Sequence, residues 1–214
     1  MMSIIIPACN EENYILETLD SIKRQQLKNY EIIVVCDGCT DKTAELINNK
    51  VDKVVVNKKR LGPAESKNIG AKYAKGGIFV FLDADTKLTS GALGSIQDAA
   101  ENGYYGTCRI KPSSDKIKHK IMMSLKNFYP FPFTNGIIFC SRNSFYKVNC
   151  FDSIKKGEDG KIVRKLNKEG NFVLLDNYVV SSTRRFDQKG YIKTMVYWIK
   201  EYIMPSNDDY EVIR

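Results

Sequence analysis

Residues 79–88 read FVFLDADTKL. An apolar run, Phe79-Val80-Phe81-Leu82, ends directly in Asp83-Ala84-Asp85. The run is short, unbroken and built of aromatic and branched residues, which marks a strand buried on both faces. Carboxylates close together are costly: unit charges about 4 Å apart repel by ~4 kcal/mol at an effective dielectric of 20. They need a cation, solvent or a raised pKa. A hard divalent cation answers that need, because magnesium binds through one or two carboxylates together with substrate phosphates. Taken alone, an Asp-x-Asp is also an ordinary exposed acidic turn.

The residues upstream repeat the same grammar. Strands are expected at Met2–Pro7, Glu31–Val35, Val54–Val56 and Gly77–Leu82, and helices at Glu11–Gln26, Lys42–Asn48, Gly62–Ala74 and Ser90–Asn102. Pro63 fits the first turn of its helix. The alternation implies an α/β fold, a Rossmann-like, mainly parallel sheet flanked by helices. In such open sheets ligands sit at the carboxyl ends of the strands. Beyond Tyr104 the pattern loosens: strands at Tyr104–Ile110, Gly136–Cys140 and Phe172–Leu175, a helix at Gly157–Glu169, and an amphipathic terminal helix at Tyr191–Met204. Between them lie a basic segment, Lys111 to Lys120, and an aromatic, proline-rich loop, Asn127 to Phe133.

Size and composition bound the possibilities. At 214 residues and 43% hydrophobic, the chain is expected to be one globular domain, 1–214. We divide it into an N-terminal half (1–107), a looser second part (108–180), and a C-terminal basic motif with an amphipathic helix (181–214). No apolar run reaches the length of a membrane span. The opening MMSIIIPACNEEN has no basic leader or cleavage site, so a cytoplasmic location is expected, including a peripheral position on the inner face of the cell membrane. The six cysteines read as reduced thiols; Cys36-Asp37-Gly38-Cys39 has half the spacing of a zinc site but no second pair to complete it. The net charge of +8 suits phosphorylated small molecules or an anionic membrane. Nucleic acid is not expected, since no helix-turn-helix, zinc finger or aromatic RNA-binding motif is present.

The chemistry gathers where strands end. The first ends in Pro7-Ala8-Cys9-Asn10-Glu11-Glu12, the second in Cys36-Asp37-Gly38-Cys39-Thr40-Asp41, the third in Asn57-Lys58-Lys59-Arg60-Leu61-Gly62, the fourth in Asp83-Ala84-Asp85. Each has an ordinary structural reading, as a helix cap or a tight turn. Together they form one pocket edge with three acidic loops and one basic loop.

These segments, with Lys67-Asn68-Ile69-Gly70, Asn135-Gly136, Arg142 and Gly157-Glu158-Asp159, resemble family 2 glycosyltransferases of GT-A fold from about residue 2 to about 176. The resemblance implies an inverting transfer of a sugar from a UDP- or GDP-sugar to a hydroxyl acceptor, in glycan or lipid-linked glycan synthesis, with Mg2+ or Mn2+. Pro7, Ala8, Asn10, Glu11 and Asp37 would line the base and ribose, and Arg60 and Lys67 would lie near the nucleotide. Asp85 would be the firmest metal ligand, and Asp83 would face metal or ribose. Asp159 would be the general base, with Glu158, Asn135 and Gly136 on the acceptor side. The chain departs from the family pattern in three places. Cys36 replaces a frequent acid, Lys67 stands where arginine is usual, and the Gln-x-x-Arg-Trp signature of processive members is missing. In its place Ser181-Ser182-Thr183-Arg184-Arg185-Phe186 offers Arg184 and Arg185 as a diphosphate clamp. The alternatives are a polyprenyl-phosphate glycosyltransferase of the same fold, a nucleotidyltransferase, and a non-catalytic nucleotide-binding domain. The acidic first loop argues against the second and Asp159 against the third.

Overall fold

The computed structural model describes residues 1–127, 134–154, 156–194, 196 and 200. Its first half follows the expected alternation: β1 (Met2–Ala8), α1 (Ile15–Lys23), β2 (Tyr30–Asp37), α2 (Thr43–Ile47), β3 (Lys53–Asn57), α3 (Pro63–Tyr73) and β4 (Ile78–Leu82). Then come β5 (Thr86–Leu88), α4 (Ala92–Glu101), β6 (Tyr104–Pro112) and α5 (Ile117–Ser124), which runs into a 3-10 turn (Leu125–Asn127). The last described elements are β7 (Ile137–Ser141), α6 (Arg142–Lys147), α7 (Glu158–Leu166), β8 (Asn171–Ser181) and α8 (Arg184–Lys189). The aromatic loop at 128–133 and most of the terminal helix expected at Tyr191–Met204 lie outside the described residues.

One eight-stranded sheet runs in the order β3-β2-β1-β4-β7-β6-β8-β5. Successive residues of a strand point to opposite faces, so β1 feeds two cores. Ile4 and Ile6 join Val34 and Leu82 under Ile15, Leu19 and Ile22 of α1 and Leu93 and Ile96 of α4. Ile5 joins Ile33, Phe79 and Phe81 under α3, Phe145 of α6, and Ile162, Val163 and Leu166 of α7. Burying each such side chain contributes roughly 1.5–3 kcal/mol. Helix α3 can lie close on β1 because Gly70 faces Ile5, where an added Cβ would collide with the Ile5 methyl.

The sheet is more mixed than the apolar pattern implies. Four of its seven strand pairs are parallel and three are antiparallel. A buried run such as Ile137-Ile138-Phe139-Cys140 serves either direction equally well, so composition does not report orientation. The direction of β7 matters for the site. It runs against β4 with Leu82 opposite Ile137, so the residues just before β7 meet those just after β4. Strand β8 extends well past the expected Phe172–Leu175, reaching Ser181 alongside β6 and β5. Most of its residues are only half-buried, which is why the apolar signal fades early.

Candidate active site

The loops at the carboxyl ends of β1, β2 and β3 are knitted together by their own polar groups. Asn10, at φ 59°, accepts backbone N–H bonds from Thr40 (2.8 Å) and Asp41 (3.3 Å), tying the end of β1 to the end of β2. The Glu11 N–H donates to Thr43 Oγ1 (2.8 Å). Asp37, 3% exposed, is occupied too: it accepts from Leu61 N (2.9 Å), Gly62 N (2.8 Å) and Asn57 Nδ2 (3.2 Å). Its carboxylate holds the Arg60-bearing loop at the N-terminus of α3, and the backbone N–H groups there suit a negative charge. Gly38, at φ 64°, lets Arg60 come close, since a Cβ there would lie 3.0 Å from the Arg60 nitrogen. Beside Asp37, the neighbouring Cys39 sulfur together with burial pushes the Cys36 thiol up, and the Cys39 thiol donates to the Ala8 carbonyl (3.3 Å). The Cys36 thiol in turn brings Cys39 down to about 7, against the effect of its burial.

Arg184, at the start of α8, reaches across to this edge. Its guanidinium grips Glu11 through two bonds (2.8 and 2.6 Å) and lies 3.1 Å from Asp85 Oδ2. It also stacks over the Tyr14 ring, 4.7 Å from the centroid. Burial works against the charge of Arg184, but Glu11 and Asp85 more than offset it and raise its pKa. Burial pushes Glu11 up, and the Arg184 bonds pull it back only in part. Lys87, by contrast, leaves the pocket and pairs with Glu17 (2.8 Å).

Asp83 sits deeper. Its N–H donates to the Gly136 carbonyl (2.9 Å), the contact that the antiparallel β4–β7 pairing creates. Gly136 leaves room there: a Cβ would fall 2.6 Å from Thr86 Oγ1 and 3.5 Å from Asp83 Oδ2. Burial pushes the Asp83 carboxyl up to about 7; Lys67 draws it down, while Asp159, Asp85 and Glu158 raise it further. Asn135 is fully buried and donates to the Cys108 carbonyl (2.9 Å), and its side-chain oxygen has no partner among the described residues.

The second carboxylate group comes from the first turn of α7, which Gly157 opens at φ 74°. Lys67 of α3 meets both residues: its Nζ is 2.6 Å from Asp159 Oδ1 and 3.0 Å from Glu158 Oε1. The other Asp159 oxygen accepts from Thr134 Oγ1 (2.8 Å). Burial opposes the Lys67 charge, but Asp159, Glu158 and Asp83 together lift its pKa above the ordinary value. Lys67 therefore serves the α7 carboxylates as well as Asp83. Two residues that no sequence motif singles out also belong here. One is Thr134. The other is Lys126, pushed down to about 8 by burial, with Asp83 and Asp159 opposing and Arg185 adding to the fall. Each lies in a stretch whose local pattern carries no sign of a charged neighbour.

The donor set fits a divalent cation. Asp83 and Asp85 offer hard oxygens, and Asp83 already resists ionisation in a surplus of carboxylates. Arg184 supplies positive charge at Asp85. Among the described residues no cluster of three or more acidic, histidine or cysteine side chains closes around one point. Substrate phosphates would have to complete the coordination of a cation held by these two acids.

The model of glycosyl transferase family 2 matches residues 3–156, most of the chain. The chain belongs to that family. The match ends just before Glu158 and Asp159, so those two rest on the geometry above. A curated relative, the GalNAc(5)-diNAcBac-PP-undecaprenol beta-1,3-glucosyltransferase of Campylobacter jejuni, is 28% identical over 190 residues; the match covers 81% of this chain and 62% of that protein. An uncharacterized glycosyltransferase of Haemophilus influenzae is 37% identical over 98 residues, 44% of this chain and 39% of its own. This family 2 chain thus spans less than two thirds of those relatives. Among solved structures, the Pyrobaculum calidifontis mannosyltransferase PcManGT, in complex with GDP-Man and Mn2+, superposes with TM-score 0.73 at 19% identity, covering 94% of this chain and 63% of that one. S. aureus TarS 1–349, in complex with UDP-GlcNAc, superposes with TM-score 0.68 at 20% identity, covering 85% and 58%. These likenesses establish the GT-A glycosyltransferase fold.

Proposed function

We propose that the chain transfers a sugar, with inversion, from a nucleotide diphosphate sugar to a hydroxyl of a glycan or lipid-linked glycan acceptor. The observation that carries this reading is the junction at Lys67, which bonds Asp159 and draws down the deep acid Asp83 of the Asp-Ala-Asp turn. It joins a donor side, residues 1–107, to an acceptor side that includes Thr134–Gly136 and the start of α7. The nucleotide-sugar complexes of PcManGT and TarS support the donor class, and the name of the C. jejuni relative supports a lipid-linked acceptor.

The acids of the turn, Asp85 foremost and Asp83 behind it, would hold Mg2+ or Mn2+. A cation there supplies a counter-charge for the diphosphate as it leaves. Asp159 accepts the proton of the acceptor hydroxyl as that oxygen bonds to the anomeric carbon and the bond to the diphosphate breaks. Lys67 pairs with one Asp159 oxygen (2.6 Å), and Thr134 fixes the other (2.8 Å). Pro7, Ala8, Asn10 and Glu11 form the base and ribose wall together with the loop that Asp37 holds. Arg184 and Arg185 face the diphosphate. A carboxylate oriented on both oxygens favours a hydroxyl acceptor over a polyprenyl phosphate, which is already anionic and needs no base.

Replacing Asp159 with Asn tests the reading. Transfer should fall by about 10²–10⁴-fold, the usual contribution of a general base. Donor binding, followed by thermal shift with Mn2+, should persist. Retained turnover would remove Asp159 from this role.

A further inference from the structure

Helix α5 carries an exposed apolar stripe. Ile117 is 74% exposed and Ile121 55%, and Leu125, at the start of the 3-10 turn, is 45% exposed. Spaced four residues apart, they follow one face of the helix. Lys118 and Lys120 are exposed and fall on either side of that stripe. The opposite side of α5 is anchored: His119 is fully buried and stacks on Phe186, and Met123 is buried. Asp187 pairs with Lys116 (2.7 Å) and Asp115 with Lys120 (2.9 Å). Lys118 has no acidic partner among the described residues. Next to this helix, Tyr191 packs on His119, and the residues after it include Ile192, 79% exposed, and the exposed Lys193.

We propose that this face is a docking surface for an anionic lipid bilayer. An apolar ridge bordered by lysines, on a helix packed by its far side, is the arrangement that lies in a membrane interface: the ridge enters the acyl boundary while the lysines meet lipid phosphates. A chain of net charge +8 adds a favourable field. The position suits the proposed reaction, and here the inference rests on the reading of the acceptor as lipid-linked. The turn after α5 is pinned beside the site: Leu125 faces outward, while Asn127 bonds the Ile110 backbone (2.7 and 3.0 Å), two residues along β6 from Cys108, whose carbonyl accepts from Asn135 (2.9 Å). Docking by α5 would set the pocket at the height of a sugar carried on a lipid diphosphate.

Sedimentation with phosphatidylglycerol vesicles at low salt tests the surface without relying on transfer. The 214-residue chain should pellet with these vesicles, at least tenfold less with phosphatidylcholine vesicles, and progressively less as salt rises. The double variants Ile117→Ser/Ile121→Ser and Lys118→Glu/Lys120→Glu should each lose vesicle binding at least tenfold with unchanged melting temperature, because all four side chains are exposed. Failure of the chain to pellet, or variants that pellet like the parent, overturns the proposal. So does a chain that is dimeric in the ultracentrifuge and becomes monomeric in Ile117→Ser/Ile121→Ser, which would make the face a protein interface. Vesicle binding that persists in a protein unable to glycosylate any lipid-linked acceptor upholds the surface and sinks the acceptor reading.

Discussion

Lys67 Nζ stands 2.6 Å from Asp159 Oδ1 and 3.0 Å from Glu158 Oε1, with only 2% of the lysine exposed. One ammonium thus compensates two carboxylates on the first turn of α7. Burial already pushes Glu158 up despite that partner. Removing one member of a buried ion pair strands the other charges and typically costs about 3–5 kcal/mol. Lys67→Met should therefore lower the melting temperature by on the order of 10 °C. Lys67→Arg, which keeps the charge, should recover most of it. A Lys67→Met melt within 2 °C of the parent would show that the pair does not hold α7.

Thr134 contributes differently. Its hydroxyl donates to the Asp159 oxygen that Lys67 leaves free. Thr134→Val keeps the shape and removes the bond, worth about 1 kcal/mol. The expected result is a fall in kcat of roughly fivefold with little change in donor KM. An equal rise in donor KM would place Thr134 on the donor side instead.

Arg184 competes with any cation for Asp85, because its Nη2 lies 3.1 Å from Asp85 Oδ2. Arg184→Ala should tighten Mn2+ binding to the donor-free protein, measured by titration calorimetry, by releasing that carboxylate. The same change should slow sugar transfer at least tenfold, since a positive charge facing the diphosphate is lost. Unchanged Mn2+ affinity would mean that the Asp-Ala-Asp turn is not the cation site.

Cys39 offers a pH readout in the loop after β2. The thiolate is the reactive form, and the neighbouring Cys36 thiol holds the Cys39 pKa at about 7. Alkylation of this half-buried thiol should climb as pH rises through about 7. Cys36→Ala removes the neighbouring thiol and should move the climb to higher pH. The buried thiols of Cys108 and Cys140, both pushed up to about 12, should stay unreactive over the same range. A climb that stays at the same pH in Cys36→Ala would refute the influence of Cys36 on Cys39. Protection by a nucleotide sugar would place the donor against this loop.

Much of the sheet edge formed by the first four strands is legible in the sequence. Met2–Ala8, Tyr30–Asp37 and Ile78–Leu82 are strands because each is a short, unbroken apolar run, and the acids follow at their ends. Less visible are the elements with weak or interrupted signals. Strand β5 is three residues long, and α8 hides inside a motif that reads as a basic turn. Helix α5 lacks a dominant apolar face because its exposed side is apolar as well.

By itself the sequence determined the α/β class, the strand ends that carry chemistry, and Asp159 as an acid opening a helix. These depend on periodicity and on nearest neighbours. The tertiary structure alone decided which charge answers which. Lys67 reaches Glu158 and Asp159 across 91 and 92 residues, and Arg184 reaches Glu11 across 173. Such pairs leave no local trace, because a lysine in a helix reads the same whether it ends in water or against two carboxylates. Only the antiparallel entry of β7 beside β4, and the closure of α3 against α7, remove the water that would otherwise have been their partner.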